Sequence, residues 1–308
     1  MRRVLVIGGP TAVGKTATSL HLAAMIPCEI ICADARQLYR RLDIGTAKPT
    51  RAEQEAVPHH LFDILEPQES INAAEYAQLA RSVIDSIPES STPILVGGSG
   101  LYIAAALDGL SPEIEDVDEA IRSQLQIELL ERGRDYLYDE LCRVDPTAAQ
   151  RYHDKNPRRV TRALEVFRAT GRPISELWAQ PRQVPPYEVL YVGLTCERAE
   201  LQRRIARRCT LMWQEGLLDE VKSLLESGVD VGSRSMQSVG YRQVAEVIMG
   251  VGSLSEVKER LPILTWQYAK RQLTWFTRDL RYTWLTDEPR MNAQAIWSML
   301  RERNWINA

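Results

Sequence analysis

The stretch Gly8-Gly9-Pro10-Thr11-Ala12-Val13-Gly14-Lys15-Thr16-Ala17, GGPTAVGKTA, decides how the rest of the chain is read. The apolar run VLVIG before it (Val4–Gly8) predicts a buried strand, and the residues after it predict a helix over Lys15–Met25. Gly9, Gly14, Lys15 and Thr16 fit the spacing G-x-x-x-x-G-K-[ST] within that strand–loop–helix context. Glycines let backbone N–H groups turn inward around phosphate oxygens. The helix N-terminus adds partial positive charge, Lys15 a full one, and the Thr16 hydroxyl is placed for Mg2+. The loop by itself specifies a di- or triphosphate and no more.

Working outward, Glu29–Ala33 and PILVGG (Pro93–Gly98) predict two further short buried strands. Ala73–Ile87 has helical periodicity, and a helix starts at Leu101–Leu107. Strands alternating with helices predict an α/β fold: a parallel sheet covered by helices on both faces, of the P-loop NTPase type. Near Ser111 the pattern changes. SPEIEDVDE is acidic and proline-broken, only helical segments follow to about Gln180, and PRQVPPYE (Pro181–Glu188) reads as a linker. Tyr187–Thr195 and RYTWLT (Arg281–Thr286) read as strands again, with a long helical stretch, Glu197–Asp279, between them. The predicted organisation is a core from residues 1–112 and 187–308, with an all-helical domain over 113–186 inserted into it.

The 308 residues are 44% hydrophobic and 26% charged, enough for a sizeable core. A formal net charge of −3 argues against blanket nucleic-acid binding but leaves room for a local basic face. Five scattered cysteines and four histidines lack metal-binding spacing, which predicts reduced thiols in a cytoplasmic protein. Cys28 and Cys32 flank a strand and read as core. MRRVLVIGG is too short an apolar run for a leader and reads as the first strand, and no run is long enough to span a membrane. Nothing demands more than a monomer.

Three features outside the loop carry chemistry. EIICAD ends in Asp34, an apolar strand ending in a carboxylate. In a doubly wound sheet that carboxylate sits at the C-terminal edge beside the phosphate loop. There it is a metal-shell group, a base for an incoming acceptor, or a turn cap. Second, Leu201, Ile205 and Met212 form an apolar helical stripe, and Arg208 falls within it. A buried arginine needs an anion, which is either a phosphate ligand or an internal carboxylate. Third, HDKNPRRVTRALEVFRATGR (His153–Arg172) is arginine-rich. Its stripe Val160, Leu164 and Phe167 leaves Arg158 and Arg162 on the opposite face, free for nucleic-acid phosphates or for solvent.

These residues together resemble the tRNA dimethylallyltransferase, or tRNA isopentenyltransferase, family. GPTAVGKT (Gly9–Thr16), DARQLYRRLDIGTAKP (Asp34–Pro49), PHHLFDI (Pro58–Ile64), GGSGLY (Gly97–Tyr102), NPRRVTRALEVFRATG (Asn156–Gly171), SVGYRQ (Ser238–Gln243) and YAKRQLTWF (Tyr268–Phe276) follow in family order. The resemblance spans nearly the whole chain. It is to the bacterial type, since the C-terminal zinc finger of eukaryotic members is not matched. It implies transfer of a prenyl group from dimethylallyl diphosphate to N6 of the adenine 3′ of a tRNA anticodon, with Mg2+ as cofactor. Gly9, Pro10, Thr11, Ala12, Val13, Gly14, Lys15 and Thr16 then hold the diphosphate, and Thr16 also matches the Mg2+ residue. Asp34 matches the family's base, and Arg208 an arginine near the diphosphate. The resemblance further implies tRNA contacts at Asp34, Ala35, Arg36, Gln37, Ser99 and Arg122. Others fall at Arg158, Arg159, Val160, Thr161 and Arg162, and at Ser238, Val239, Gly240, Tyr241 and Arg242. Trp275 and Phe276 read as core. The chain departs from the family at Ala35 and Asn72, each usually Ser, at Ser99, usually Thr, and in having Arg36. An adenylate isopentenyltransferase acting on free AMP, ADP or ATP shares the loop and Asp34, but has no use for the basic insert. A small-molecule kinase or a non-catalytic nucleotide-binding RNA chaperone leaves the downstream motifs unexplained.

Overall fold

Six parallel strands form one sheet in the computed structural model, which describes residues 1–110, 118–180 and 184–306. The strands are β1 Arg2–Gly8, β2 Cys28–Cys32, β3 His59–His60, β4 Thr92–Gly97, β5 Tyr187–Leu194 and β6 Thr283–Leu285. Their order across the sheet is β3-β2-β4-β1-β5-β6. The inner strands read as unbroken apolar runs because both faces are covered: Val4, Leu5, Val6 and Ile7 are all fully buried. β1 pairs with β4 on one side and β5 on the other, which opens a crevice at its C-terminal end, where the phosphate loop begins.

The first helices are α1 Lys15–Ala23, α2 Arg51–Ala56, α3 Ala73–Ser86 and α4 Gly100–Asp108. After β5 come α9 Arg198–Gln214, α10 Leu217–Glu226, α11 Tyr241–Ile248, α12 Leu254–Phe276 and, last, α13 Pro289–Glu302. Leu201, Ile205, Cys209 and Met212 of α9 join the strand side chains Leu5, Ile7, Ile94 and Val192 in one core. Asn72 caps α3 by accepting from the N–H groups of Ala74 and Glu75, so this departure from serine keeps the helix start intact.

The chain divides into two units, Met1–Leu107 with Pro185–Ala308, and Asp108–Val184. The second holds α5 Glu119–Val144, α6 Pro146–Arg151, α7 Pro157–Thr170 and α8 Ile174–Trp178. α5 is broken at Gly133, whose φ of 82° is left-handed. Its own core is Leu125, Leu137, Leu141, Ala148, Ala149, Val160, Ala163 and Leu164. An ion-paired Arg168, bonded to Glu128 and Glu140, ties α7 to α5. Phe167 stands outside that core, half-buried, because Ala163 rather than Phe167 completes the α7 stripe.

Five of the six strands match predicted runs to within about two residues. β3 is only two residues long and sits inside PHHLFDI, with no apolar run to reveal it. The helix α13 was also unread. The stretch Glu197–Asp279 is four helices, interrupted between α10 and α11. Residues 111–117 of the acidic segment and 181–183 of the linker lie outside the described residues.

Gly97 allows the closest backbone approach in the sheet. A β-carbon there would meet Ala33 O at 1.9 Å, and both partners are backbone. Gly97→Ala is therefore expected to separate β2 from β4 at their C-terminal ends. It should lower stability by roughly 3 kcal/mol or more, or prevent soluble expression. Urea unfolding against wild type measures this, and a cost below about 1 kcal/mol would contradict the steric argument.

Candidate active site

The loop Gly9–Thr16 closes around its own lysine. Gly9 (φ 141°) and Gly14 (φ 103°) adopt backbone conformations that L side chains avoid, and a β-carbon on Gly9 would sit 2.5 Å from Leu194 O. The Lys15 ammonium donates to Gly9 O (3.1 Å) and Pro10 O (2.8 Å). Burial, opposed by Asp34 and reinforced by Arg208, pushes the Lys15 pKa down to about 8. The Thr16 hydroxyl, in the first turn of α1, has no hydrogen-bond partner among the described residues. Those residues hold no group of three or more His, Cys, Asp or Glu able to bind a metal. Such a donor set fits a cation carried on phosphate oxygens and touched by one hydroxyl, rather than a protein cage.

Arg208 reaches the loop from α9. It donates to Thr11 Oγ1 (2.8 Å) and Thr46 O (3.0 Å), while its Nε is buried without a partner. Among the described residues no carboxylate forms an ion pair with it. The helical wheel is corrected in one respect. Cys209 fills the buried stripe, and Arg208 lies at the stripe's border, aimed at the loop.

Asp34 follows β2 at the sheet's C-terminal edge. Its Oδ1 accepts from Arg36 N (2.9 Å) and its carbonyl from Gln37 N (3.2 Å), the geometry of an Asx turn. The turn-capping reading thus describes one oxygen. The other has no hydrogen-bond partner among the described residues, and its charge acts on both Lys15 and Arg208. Ser99 fixes the same turn, accepting from Ala35 N (2.9 Å) and donating its own N–H to Ala33 O (3.0 Å).

Two supports were not singled out in the sequence. Gln272, buried on α12, accepts from Thr11 N (2.8 Å) and donates to Gly98 O (3.1 Å), joining the phosphate loop to the turn after β4. Its signal was a glutamine on the apolar face shared with Ala269 and Phe276. Glu220 on α10 accepts from the N–H groups of Asp43 (3.0 Å), Ile44 (2.9 Å) and Gly45 (3.3 Å). That clamp holds the segment whose Thr46 carbonyl receives both Arg208 and Gln37 Nε2 (3.0 Å). No local sequence signal marks it.

The residues expected to contact tRNA differ in burial. Tyr241 is fully buried, donating to Glu220 Oε1 (2.5 Å) and accepting from Gly45 N (3.1 Å). Ser238 is buried and bonded to Ser235 O, and Val160 belongs to the α7 core. These three side chains are engaged inside their own unit. Val239 is half-buried against the core, Gly240 caps α11, and Arg242 is exposed and paired with Glu246. Arg36 is half-buried and donates to Arg234 O. In the second unit Arg158 is exposed, Arg159 pairs with Asp154, Arg162 with Glu165 and Arg122 with Glu119, while Thr161 bonds Pro157 O. Phe276 is buried as expected, but Trp275 is 45% exposed.

Comparison with known proteins follows from this geometry. The family model described as IPP transferase matches residues 37–279. The tRNA dimethylallyltransferase of Streptomyces griseus is 43% identical over 284 residues, 92% of this chain and 90% of that protein. The tRNA isopentenylpyrophosphate transferase of Bacillus halodurans superposes with a TM-score of 0.72 at 38% identity, covering 99% of this chain and 98% of that one. A eukaryotic dimethylallyltransferase acting on tRNA gives a TM-score of 0.78 at 27% identity, covering 99% and 79%.

The lowered Lys15 pKa predicts a pH dependence. The lysine is charged below about 8 and neutral above, so the affinity for inorganic pyrophosphate should fall as pH rises through that value. One unit above, wild type should lose up to roughly tenfold more affinity than Lys15→Arg, whose charge does not titrate there. Calorimetric titration measures both, and equal slopes would show that the Lys15 charge does not change over this range.

Proposed function

The chain belongs to the IPP transferase family, and from that premise we propose the reaction. The enzyme transfers a dimethylallyl group from dimethylallyl diphosphate to N6 of the adenine immediately 3′ of a tRNA anticodon. The observation that carries the reading is a phosphate-type loop lined by two cations, facing a carboxylate with one oxygen that makes no hydrogen bond among the described residues. Lys15 and Arg208 supply the charge, and Asp34 is held in place by Arg36 N–H. β4 ends in Gly97 and Gly98 rather than in an aspartate that would place a metal for hydrolysis.

The loop residues Gly9–Thr16 hold the diphosphate. The bond between the prenyl C1 and the diphosphate oxygen breaks, and its electron pair leaves on that oxygen. Lys15, Arg208 and the loop N–H groups stabilise the charge that develops there. The N6 lone pair forms the new bond to C1. Asp34 accepts the N6 proton through the oxygen left free by the Asx turn, because a neutral adenine amine is a poor nucleophile. Thr16 would hold Mg2+, which would supply charge neutralisation for the leaving group. The products are N6-isopentenyladenosine and pyrophosphate. The adenine leaves its stack to reach Asp34, which a single-stranded anticodon loop permits. In this reading Ala35, Gln37 and Ser99 line the approach to Asp34. The exposed arginines Arg122, Arg158 and Arg159 of the second unit, with half-buried Arg162, meet tRNA phosphates. In this reading the enzyme works as a monomer in the cytoplasm, where its tRNA substrate is found.

A competition assay tests the acceptor. Purified protein, Mg2+ and dimethylallyl diphosphate are offered unmodified tRNA together with AMP, and products are weighed by mass spectrometry. Prenyl mass on the tRNA adenine alone is expected. Prenyl mass on AMP alone would make the chain an adenylate isopentenyltransferase.

Asp34→Ala separates chemistry from binding. Single-turnover transfer should fall by roughly 100- to 10,000-fold, the range for removal of a general base, while tRNA affinity in a filter-binding assay stays near wild type. Parallel loss of both would return Asp34 to a purely structural role.

A further inference from the structure

Tyr268 has a hydroxyl that the fold does not use. It is half-buried on α12 and makes no hydrogen bond among the described residues. Its position is bracketed by two contacts on the same helix. Three residues earlier, the Thr265 hydroxyl lies 3.8 Å from Cys209 Sγ, the neighbour of Arg208 on α9. Four residues later, Gln272 accepts from Thr11 N (2.8 Å) in the phosphate loop. Residues spaced three and four apart share a helix face, so Tyr268 faces the space between those contacts. Arg208 closes the bracket by donating to Thr11 Oγ1 (2.8 Å).

The charges acting on the phenol agree with that position. Asp34, Arg36, Arg271 and Arg208 all lie within its electrostatic reach. Burial first, then Asp34, holds its pKa above the ordinary tyrosine value, so the group stays an O–H donor at neutral pH. Arg208 Nε is another donor without an acceptor, and it is buried. Two donors without acceptors on the α9 and α12 side of the phosphate loop are matched by an anion with several oxygens.

We propose that Tyr268 is a further diphosphate-binding residue, its hydroxyl donating to a leaving-group oxygen beside Arg208. The inference rests on the prenyl-transfer reading above. It also explains why a neutral donor stands there. Arg208 already lowers the Lys15 pKa, and a third cation at this position would drive Lys15 further toward its neutral form. A phenol adds a hydrogen bond to the departing oxygen without that repulsion.

The test compares wild type, Tyr268→Phe and Tyr268→Leu, with thermal melting to confirm folding. Inorganic pyrophosphate with Mg2+ is titrated by calorimetry. Single-turnover prenyl transfer and tRNA affinity are measured alongside. Tyr268→Phe, which keeps the ring, should bind pyrophosphate about 5- to 20-fold more weakly and transfer more slowly by at least that factor, with tRNA affinity unchanged. Wild-type pyrophosphate affinity and rate in Tyr268→Phe would overturn the proposal, as would a loss confined to Tyr268→Leu, which assigns the ring rather than the hydroxyl. If wild type binds pyrophosphate and Tyr268→Phe weakens it, but wild type prenylates no tRNA, the diphosphate assignment stands and the reaction fails. Wild type that binds no pyrophosphate overturns both.

Discussion

Arg208 meets the phosphate loop through the Thr11 hydroxyl and the neighbouring segment through the Thr46 carbonyl, and no carboxylate forms an ion pair with it among the described residues. The site depends on that deficit. Two cations, Lys15 and Arg208, are held close enough to disfavour one another, with Asp34 as partial compensation. A buried positive charge without a full counterion is costly, and the fold tolerates it because the supporting groups are fixed by neutral donors and acceptors. Gln272 holds the loop through Thr11, and Glu220 satisfies three N–H groups of the segment that offers Thr46 O. Neither support places a carboxylate against Arg208. An incoming anion therefore finds its counter-charges ordered and unspent.

The same arrangement gives Asp34 two roles in one side chain. Its Oδ1 is committed to Arg36 N, which fixes the carboxylate plane, and Ser99 fixes the next peptide through Ala35 N. The second oxygen stays free. Pinning one oxygen to orient the other is how a short side chain reaches the accuracy that proton transfer demands. Lys48 extends the pinned region. Its ammonium is buried between Asp43, Asp63 and the Tyr39 carbonyl, joining the loop after β2 to the segment after β3.

Much of this was legible in the sequence where the signal is local. The phosphate loop is a fixed spacing, the inner strands are unbroken apolar runs, and Asp34 ends one of them. What escaped is set by tertiary neighbours. His59 and His60 become a strand only because Ile30 and Ile31 pair with them. Arg208 was placed within the α9 stripe, whereas Cys209 occupies it and the arginine sits at the border, a difference of one helical position. Tyr241 and Ser238 lie in a motif that reads as a contact surface, yet their hydroxyls are taken by Glu220, Gly45 and Ser235. Trp275 reads as core by hydrophobicity but ends partly in solvent, since Phe276 takes the inward position at the end of α12. The clamp by Glu220 joins residues far apart in the chain, and no periodicity reports such a pair.

The register of β1 has a consequence for how the molecule is made. Leu5 pairs with Ile94 on one side and with Leu190 on the other. The chain between those partners includes the whole second unit, Asp108–Val184. During synthesis the first strand to emerge thus keeps one edge bare until β5 follows. At the usual rate of translation its second edge stays open for about 10–40 s. An apolar strand with a bare edge is a template for mispairing. Closing that edge means bringing together two segments that flank the whole helical unit, the long-range step on which completion of the sheet waits.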